Sequence, residues 1–339
     1  MTQTRAMLLS APAPATAAPL RLVERPAPSP GPGEALVEVH ACAVCRTDLQ
    51  LCEGDLAARR LPIVPGHQAV GVVRAVGAGA DPGLLGVRVG LAWIADTCGR
   101  CAYCLRGREN LCESARFTGW DRDGGFADAV CANAEFLHPL PDGFADLAAA
   151  PLLCGGAIGL RSLRVSGIEP GGRLGLYGFG ASATVVIQLA LHQGCEVVVC
   201  TRSEAEQERA RRLGAAWAGG YHDTPPPLDA AITFAPAGEV VVAALRALRR
   251  GGAVAVNAIH LDRIPEFPYE LLWWERELRS VANVTRDDVR DLLRLAAEIP
   301  LVTQTESVPL ERANEALARL AAGQVSGAAV LEMRPPQPR

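Results

Sequence analysis

Lysine is missing from the 339-residue chain, so all 33 of its basic side chains are arginine. Both cations serve a solvated surface, and the bias excludes no function. Any excess of positive charge is missing too: 37 acidic residues against 33 cations give a formal charge of −4 and a pI near 5.9. That leaves no basic face for a nucleic acid, and no run of like charges suggests a tail. No apolar run approaches the ~18 residues of a membrane span. Residues 1–20 carry an Arg, a short apolar run at 6–9 and Ala-Pro repeats. That run is shorter than the apolar core of a secretory signal, and polar alternation resumes at 20–23, so no signal is expected. The expected location is the cytoplasm, without a membrane or nucleic-acid partner. Internal repeats are absent, which excludes an array.

What is present is an ordinary globular composition, 49% hydrophobic and 21% charged, with length enough for two domains. Eleven cysteines in a cytosolic chain favour metal ligands and free thiols over a disulfide framework. The first third is punctuated by Gly and Pro and alternates at residues 35–39, 69–76 and 87–92, a β-rich texture. After Pro151, strand-like and helical stretches alternate at 173–177, 181–192, 196–200, 204–213, 228–234, 239–249, 252–258 and 278–283. This pattern predicts a doubly wound parallel sheet in an α/β protein. A helical period at 310–320 and a strand at 328–331 are expected to return to the first domain. The expected division is 1–152 with 290–339, a β-rich domain, and 153–289, a nucleotide-binding domain.

Cys98, Cys101 and Cys104 are spaced by two residues each and Cys112 follows after seven. A tight chain reversal can bring the four sulfurs to one tetrahedral zinc. Such an all-thiolate site is closed and stabilises structure instead of activating water. Free or disulfide-bonded thiols are the competing reading.

The stretch 173–177 runs into Gly178-Phe179-Gly180-Ala181-Ser182-Ala183 and then an amphipathic helix, the order a pyrophosphate site requires. Gly178 allows the turn, and Gly180 lets backbone N–H groups approach a phosphate. Ala183 stands where a third glycine often sits and meets the demand for close helix packing. The helix N-terminus adds partial positive charge beside Ala181 and Ser182. A carboxylate about twenty residues on would grip the ribose of NAD. Here the second strand ends Cys200-Thr201-Arg202-Ser203, with no carboxylate to repel a 2′-phosphate and with Arg202 able to pair with one. NADP(H) is therefore expected over NAD(H). The alternative is a solvated Arg202 opposite Glu204 or Glu206.

Cys45, in Cys-Arg-Thr-Asp, His67, after Pro65-Gly66, and Cys154, in Pro-Leu-Leu-Cys-Gly, could together make an open site. Two thiolates and an imidazole leave a fourth position for water or substrate. Taken singly, each has an ordinary explanation as a buried thiol or a core histidine.

Together, Cys45-Arg46-Thr47-Asp48, Gly66-His67, the four-cysteine loop, residues 151–155 and the glycine turn at Gly178 are specific. Over nearly its full length the chain resembles the zinc-dependent alcohol dehydrogenases of the medium-chain dehydrogenase/reductase superfamily. The resemblance implies a GroES-like β-rich catalytic domain joined to a Rossmann domain, with the nicotinamide in the cleft between them. It implies two zinc ions per chain, a catalytic one on Cys45, His67 and Cys154 and a structural one on Cys98, Cys101, Cys104 and Cys112. Zinc as a Lewis acid polarises a carbonyl oxygen while the cofactor carries the hydride. Thr47 can hydrogen-bond that oxygen and pass its proton, unless its hydroxyl only serves a strand or turn. Asp48 is the natural acceptor for the His67 ring N–H, and Arg46 would reach the pyrophosphate. Trp93 and Trp120 are candidate pocket walls or core.

Two departures stand out. Many members have Glu after the ligand His, and some relay the proton to a nearby His; here these positions hold Gln68, which brings no charge, and Gln50, which does not titrate near neutral pH. Cys42, Cys52, Cys131, Cys195 and Cys200 have no ligand spacing and read as buried thiols. His260 follows an expected strand and reads as a loop residue. The leading expectation is an NADP(H)-dependent alcohol dehydrogenase, acting mainly as a reductase on an alcohol/aldehyde or ketone pair. A biosynthetic reductase of an enal or iminium, or a non-catalytic zinc- and nucleotide-binding sensor or scaffold, are the alternatives. Family analogy suggests a homodimer or homotetramer through the edge of the nucleotide-domain sheet.

Overall fold

The computed structural model describes residues 3–258, 261, 263–299 and 301–333. His260 lies outside the described residues. The chain forms two compact units, Met1–Cys154 with Asn283–Arg339, and Gly155–Ala282. Among the described residues no single helix is long and apolar enough to cross a membrane.

The first unit is built on a seven-stranded sheet. Its central strand, Glu34–Ala43, pairs antiparallel with Ala69–Val76, with Ala129–Asn133 and with Ala328–Glu332. Glu34–Ala43 is buried along most of its length, and its small and β-branched residues Ala35, Val37, Val39 and Ala41 all lie in the interior. Arg88–Leu91 extends the sheet beyond Ala69–Val76, and Leu137–Pro139 extends it beyond that. On the other side Thr305–Pro309 lies parallel to Ala328–Glu332, the two joined through helix Ala313–Ala321. The end of the chain thus completes the sheet begun near residue 34. The N-terminal stretch forms a hairpin, Gln3–Leu9 against Leu20–Pro26.

The return to this unit differs from the expected boundary. Residue 290 falls inside helix Arg286–Glu298, which opens with a capping box in which Thr285 and Asp288 satisfy each other's backbone N–H groups. Its first residue, Arg286, is held by Glu109. The crossing therefore comes at Asn283, before that helix.

The second unit is a six-stranded, wholly parallel sheet in the order Trp217–Gly219, Glu196–Cys200, Arg173–Tyr177, Leu228–Thr233, Leu248–Val256, Glu277–Ser280. Counted along the chain this is 3-2-1-4-5-6, the Rossmann order, whose direction reverses beside the first strand. Val197, Val198 and Val199 are fully buried, as the run of branched residues in a strand covered on both faces requires.

Candidate metal and cofactor sites

Strand pairing brings Cys45 and His67 together. Cys42 is the register partner of Ala69, so the residues just past the end of one strand face those just before the start of its neighbour. Cys45 is then the N-cap of helix Arg46–Glu53. Gly66, with φ +100, turns His67 inward; a Cβ at Gly66 would meet the Phe126 ring at 2.4 Å, so glycine is required there. Cys154 arrives from a third direction. The turn Ala150–Leu153 precedes it, and Leu153 lies against Gly90, where a Cβ would meet Leu153 Cδ2 at 2.4 Å. Burying Leu153 completely contributes about 1.5–3 kcal/mol to holding that turn on the sheet.

One ligand atom from each of Cys45, His67 and Cys154 lies within 4.8 Å of the other two. Asp48 organises them. Its carboxylate accepts from the Cys45 N–H at 2.9 Å, from the Gly66 N–H at 3.1 Å and faces His67 Nδ1 at 3.0 Å. With Nδ1 engaged, Nε2 is the imidazole atom left for a ligand, and it is buried without a hydrogen-bond partner among the described residues. An orphaned ring nitrogen beside two thiols is the donor set that zinc satisfies.

The electrostatics agree. A hydrogen bond from the Cys154 thiol, supported by His67, holds Cys45 well below the usual thiol range. The same bond, with burial, holds Cys154 well above it. Burial works against an imidazolium, yet the Asp48 charge and hydrogen bond outweigh it and raise His67 to about 10. A cation is thus favoured at this spot, and a metal ion would take the place of the proton.

Thr47 is half-buried on the first turn of the helix, with Oγ1 3.9 Å from Cys45 Sγ. Arg46 is exposed. Gln68 is buried and its amide turns to the Ala43 carbonyl at 3.4 Å. Gln50 Oε1 is buried without a partner. Trp93 packs edge-on against His67, with centroids 4.9 Å apart and planes at 71°. It stacks with Phe117 and with Trp120, at 4.9 and 5.9 Å. Both tryptophans therefore belong to one aromatic cluster beside the candidate metal ligand His67.

The four-cysteine loop is a second cluster, with its sulfurs all within 4.8 Å. Measured Sγ–Sγ separations of 3.5, 3.6 and 3.9 Å exclude disulfides and fit the edge of about 3.8 Å that a tetrahedron with ~2.3 Å zinc–sulfur bonds demands. The Cys101 and Cys104 amides point at Cys98 and Cys101 Sγ. The backbone N–H groups of Arg100 and Cys101 pull the Cys98 thiol down to about 6. Flanking strands Ile94–Asp96 and Arg116–Phe117 are short, and the packing beneath is a small cluster that includes Ile94, Phe117 and Phe136. A metal held by the four sulfurs would add order that so small a core does not supply.

In the second unit, Gly178 has φ +92 and ends the first strand, and Gly180 is the N-cap of helix Ala181–His192. Gly180 and Ala181 are exposed, Ser182 is half-buried, and nothing lies within 4 Å of a Cβ built at Gly180. The helix N-terminus is thus open to an anion. Ala183 is fully buried, the packing role its small side chain allows. At the end of the second strand, Thr201 is buried and its hydroxyl donates to Glu206 at 2.6 Å, while Ser203 caps the next helix. Neither Glu204 nor Glu206 pairs with Arg202, which lines a cavity of about 570 Å³ with Tyr221, Asp223, Ala235 and Glu239.

Three contributors were not legible from spacing. Arg209 lies over Phe179 at 5.1 Å and hydrogen-bonds its carbonyl, bracing the glycine turn. Tyr221 shares the Arg202 cavity. Asn283 accepts the Trp93 indole N–H at 3.1 Å. No motif marks any of them.

Two clusters of candidate metal donors in a β-rich unit, in a chain that also forms a Rossmann unit with an open helix N-terminus, define a class of metal- and dinucleotide-dependent dehydrogenase. Family models described as "Alcohol dehydrogenase GroES-like domain" and "Zinc-binding dehydrogenase" match residues 31–142 and 181–298. The chain is 50% identical over 327 residues to the "Probable alcohol dehydrogenase AdhA" of Mycobacterium tuberculosis, covering 94% of each. It is 33% identical to an alcohol dehydrogenase of Geobacillus stearothermophilus, covering 93% of this chain and 96% of that one. A cinnamyl alcohol dehydrogenase structure from Sorghum bicolor superposes with a TM-score of 0.88 at 26% identity, covering 97% of each chain. The chain belongs to the zinc-dependent alcohol dehydrogenase family of the medium-chain dehydrogenase/reductase superfamily.

Proposed function

We propose that this alcohol dehydrogenase uses NADP(H) and works mainly as a reductase of an aldehyde or ketone. The observation that carries the reading is the cluster of Cys45, His67 and Cys154 around a buried, unpartnered imidazole nitrogen. We read these three as ligands of a catalytic zinc and Cys98, Cys101, Cys104 and Cys112 as ligands of a structural one. When bound, the zinc supplies a Lewis acid for the substrate oxygen and the nicotinamide supplies or takes up the hydride.

The chain's own residues do the rest. Asp48 fixes the His67 tautomer through Nδ1 and raises the basicity of Nε2. Thr47 Oγ1, beside Cys45 Sγ, donates a proton to the substrate oxygen in reduction and takes it back in oxidation. Gln50 does not titrate, so the proton comes from water or the cofactor ribose. Ala181 and Ser182 N–H groups hold the pyrophosphate, and Arg202 pairs with a 2′-phosphate. Trp93 borders the substrate carbon.

Association is read from the edge strand Glu277–Ser280. Antiparallel pairing of two copies about Leu278 sets Glu277 of each opposite Arg279 of the other, a self-complementary edge. Exposed Tyr269, Trp273 and Trp274 precede it. A homodimer, or a tetramer of such dimers, is the expected assembly.

Metal content measured together with turnover of aldehydes, ketones, enals and iminium compounds, under NADPH and NADH, tests the proposal. Two zinc ions and NADPH-dependent carbonyl reduction are expected. A zinc-loaded protein without turnover of any carbonyl, or one that reduces only enals or iminium compounds, would overturn it.

A further inference from the structure

Trp93 has one polar atom, and a single residue answers it. The indole Nε1–H donates to Asn283 Oδ1 at 3.1 Å, and Asn283 Nδ2 donates to the Asn110 carbonyl at 3.2 Å. The amide orientation is forced, since the opposite flip would set an NH₂ against an indole N–H and a carbonyl against a carbonyl. Asn110 is buried and belongs to the turn Glu109–Leu111, which leads into Cys112. Asn283 is thus a strut between the indole and the four-cysteine loop.

Its backbone supports the same reading. Asn283 has φ +54, one of four non-glycine residues with positive φ among the described residues. Asn tolerates the left-handed region better than other side-chain-bearing residues, and the strained position survives because its amide is held at both ends. Glycine would suit the backbone better, yet would leave the indole N–H without an acceptor.

The consequence reaches the metal site through packing. Trp93 meets His67 edge-on at 4.9 Å and shares nearly parallel planes with Trp120, at 14°, and Phe117, at 25°. Arg59 lies 3.8 Å over the Trp120 ring and is tied to Asp121, closing the outer end of the stack. We propose that Asn283 is a positioning residue that sets the angle of Trp93 and so makes the enzyme favour flat, unsaturated substrates, aryl or conjugated alcohols and aldehydes, over small saturated ones. The inference rests on the reading of Trp93 as a wall beside the substrate carbon.

The test is a double-mutant cycle of Asn283→Gly and Trp93→Phe, with Asn283→Asp as the conservative variant, read by kcat/KM for benzyl alcohol and ethanol. Asn283→Gly relaxes the backbone and removes the acceptor; it should lower the benzyl-to-ethanol ratio by about tenfold. The loss should sit mainly in KM for benzyl alcohol. Asn283→Asp keeps the indole's acceptor but sets an oxygen against the Asn110 carbonyl, so it should lower the ratio less than Asn283→Gly does. In the Trp93→Phe background, where no indole N–H remains, Asn283→Gly should have no further effect.

A readout independent of turnover comes from the indole N–H resonances of the five tryptophans. The signal lost in Trp93→Phe should shift in Asn283→Gly to the position of an indole N–H bonded to water, and should stay that of a protein-bonded N–H in Asn283→Asp. An unmoved signal, an unchanged ratio, or effects that multiply across the cycle would overturn the inference. If neither alcohol is turned over, the catalytic reading has failed instead, and the indole signal alone decides whether the strut exists.

Discussion

Asp48 places one carboxylate oxygen 3.0 Å from His67 Nδ1 and 3.1 Å from the Gly66 N–H, and the other 2.9 Å from the Cys45 N–H. One side chain thus fixes two of the three residues read as catalytic zinc ligands. Asp48→Asn preserves the shape but loses the charge and turns one acceptor into a donor. It is expected to weaken zinc binding by roughly 10–100-fold. Competition against a chelator would measure this, and wild-type affinity in the variant would remove Asp48 from the account.

Cys104 stands 3.5 Å from Cys101 Sγ and 3.9 Å from Cys98 Sγ in a loop with little packing of its own. Cys104→Ser should cut zinc content from two ions to one and lower the unfolding temperature, because binding energy at such a site is folding energy. Full retention of both zinc ions would sink the assignment of the loop.

How much of this could be read from residues alone follows from where the information lies. The four-cysteine loop and the turn from Gly178 to Ala183 are local, and spacing states their geometry. Helix Ala181–His192 and strand Glu196–Cys200 are placed as expected for the same reason. Cys45, His67 and Cys154 are brought together by the register of Cys42 with Ala69 and by Leu153 on Gly90, relations that no spacing encodes, and only family resemblance pointed to them. The part played by Asn283 depends on a contact across 190 positions and left no sequence pattern. Helix Arg286–Glu298 carries a strong amphipathic pattern and a capping box, and the expected boundary at 290 overlooked both.

Thr47 Oγ1 lies 3.9 Å from Cys45 Sγ, whereas Gln50 carries no titrating group. Thr47→Ala is expected to lower kcat by about 10²-fold or more, the usual loss of a general acid–base step. Thr47→Ser should retain most turnover, and substitution of Gln50 should matter little. Equal rates for Thr47→Ala and wild type in single-turnover measurements would exclude the relay.

Asp146 is the first residue of the short helix Asp146–Ala149, which leads into the turn before Cys154. It bonds His40 Nδ1 at 2.7 Å and Arg88 Nε at 2.6 Å, and the hydrogen bond from His40, joined by Arg88, holds its carboxyl below the usual range. A depressed carboxylate contributes stability that is present above its unfolded value, near 3.8, and is lost as pH falls through the lower folded value. Asp146→Asn should therefore cost about 1–2 kcal/mol at neutral pH and almost nothing in strong acid. Urea denaturation across pH 2–7 checks this, and a penalty that persists at the acid end would contradict the ion-pair explanation.

The proposed preference for NADP(H) rests on Arg202. It lines a cavity of about 570 Å³ and pairs with neither Glu204 nor Glu206, while the neighbouring Thr201 and Ser203 are occupied with Glu206. A guanidinium with no ion-pair partner among the described residues, at the end of the second strand, would fit a 2′-phosphate. Arg202→Asp replaces attraction by repulsion for NADPH and offers an acceptor to the ribose hydroxyls of NADH. The expected loss in kcat/KM for NADPH is on the order of 10²-fold, about 3 kcal/mol, with NADH unchanged or improved. Arg202→Ala separates the terms: it removes the attraction without adding charge, so its loss with NADPH should be smaller than that of Arg202→Asp. A wild-type protein that prefers NADH, or an Arg202→Asp variant that handles both cofactors as the wild type does, would place the specificity elsewhere, with Tyr221 and Asp223 of the same cavity the next residues to substitute.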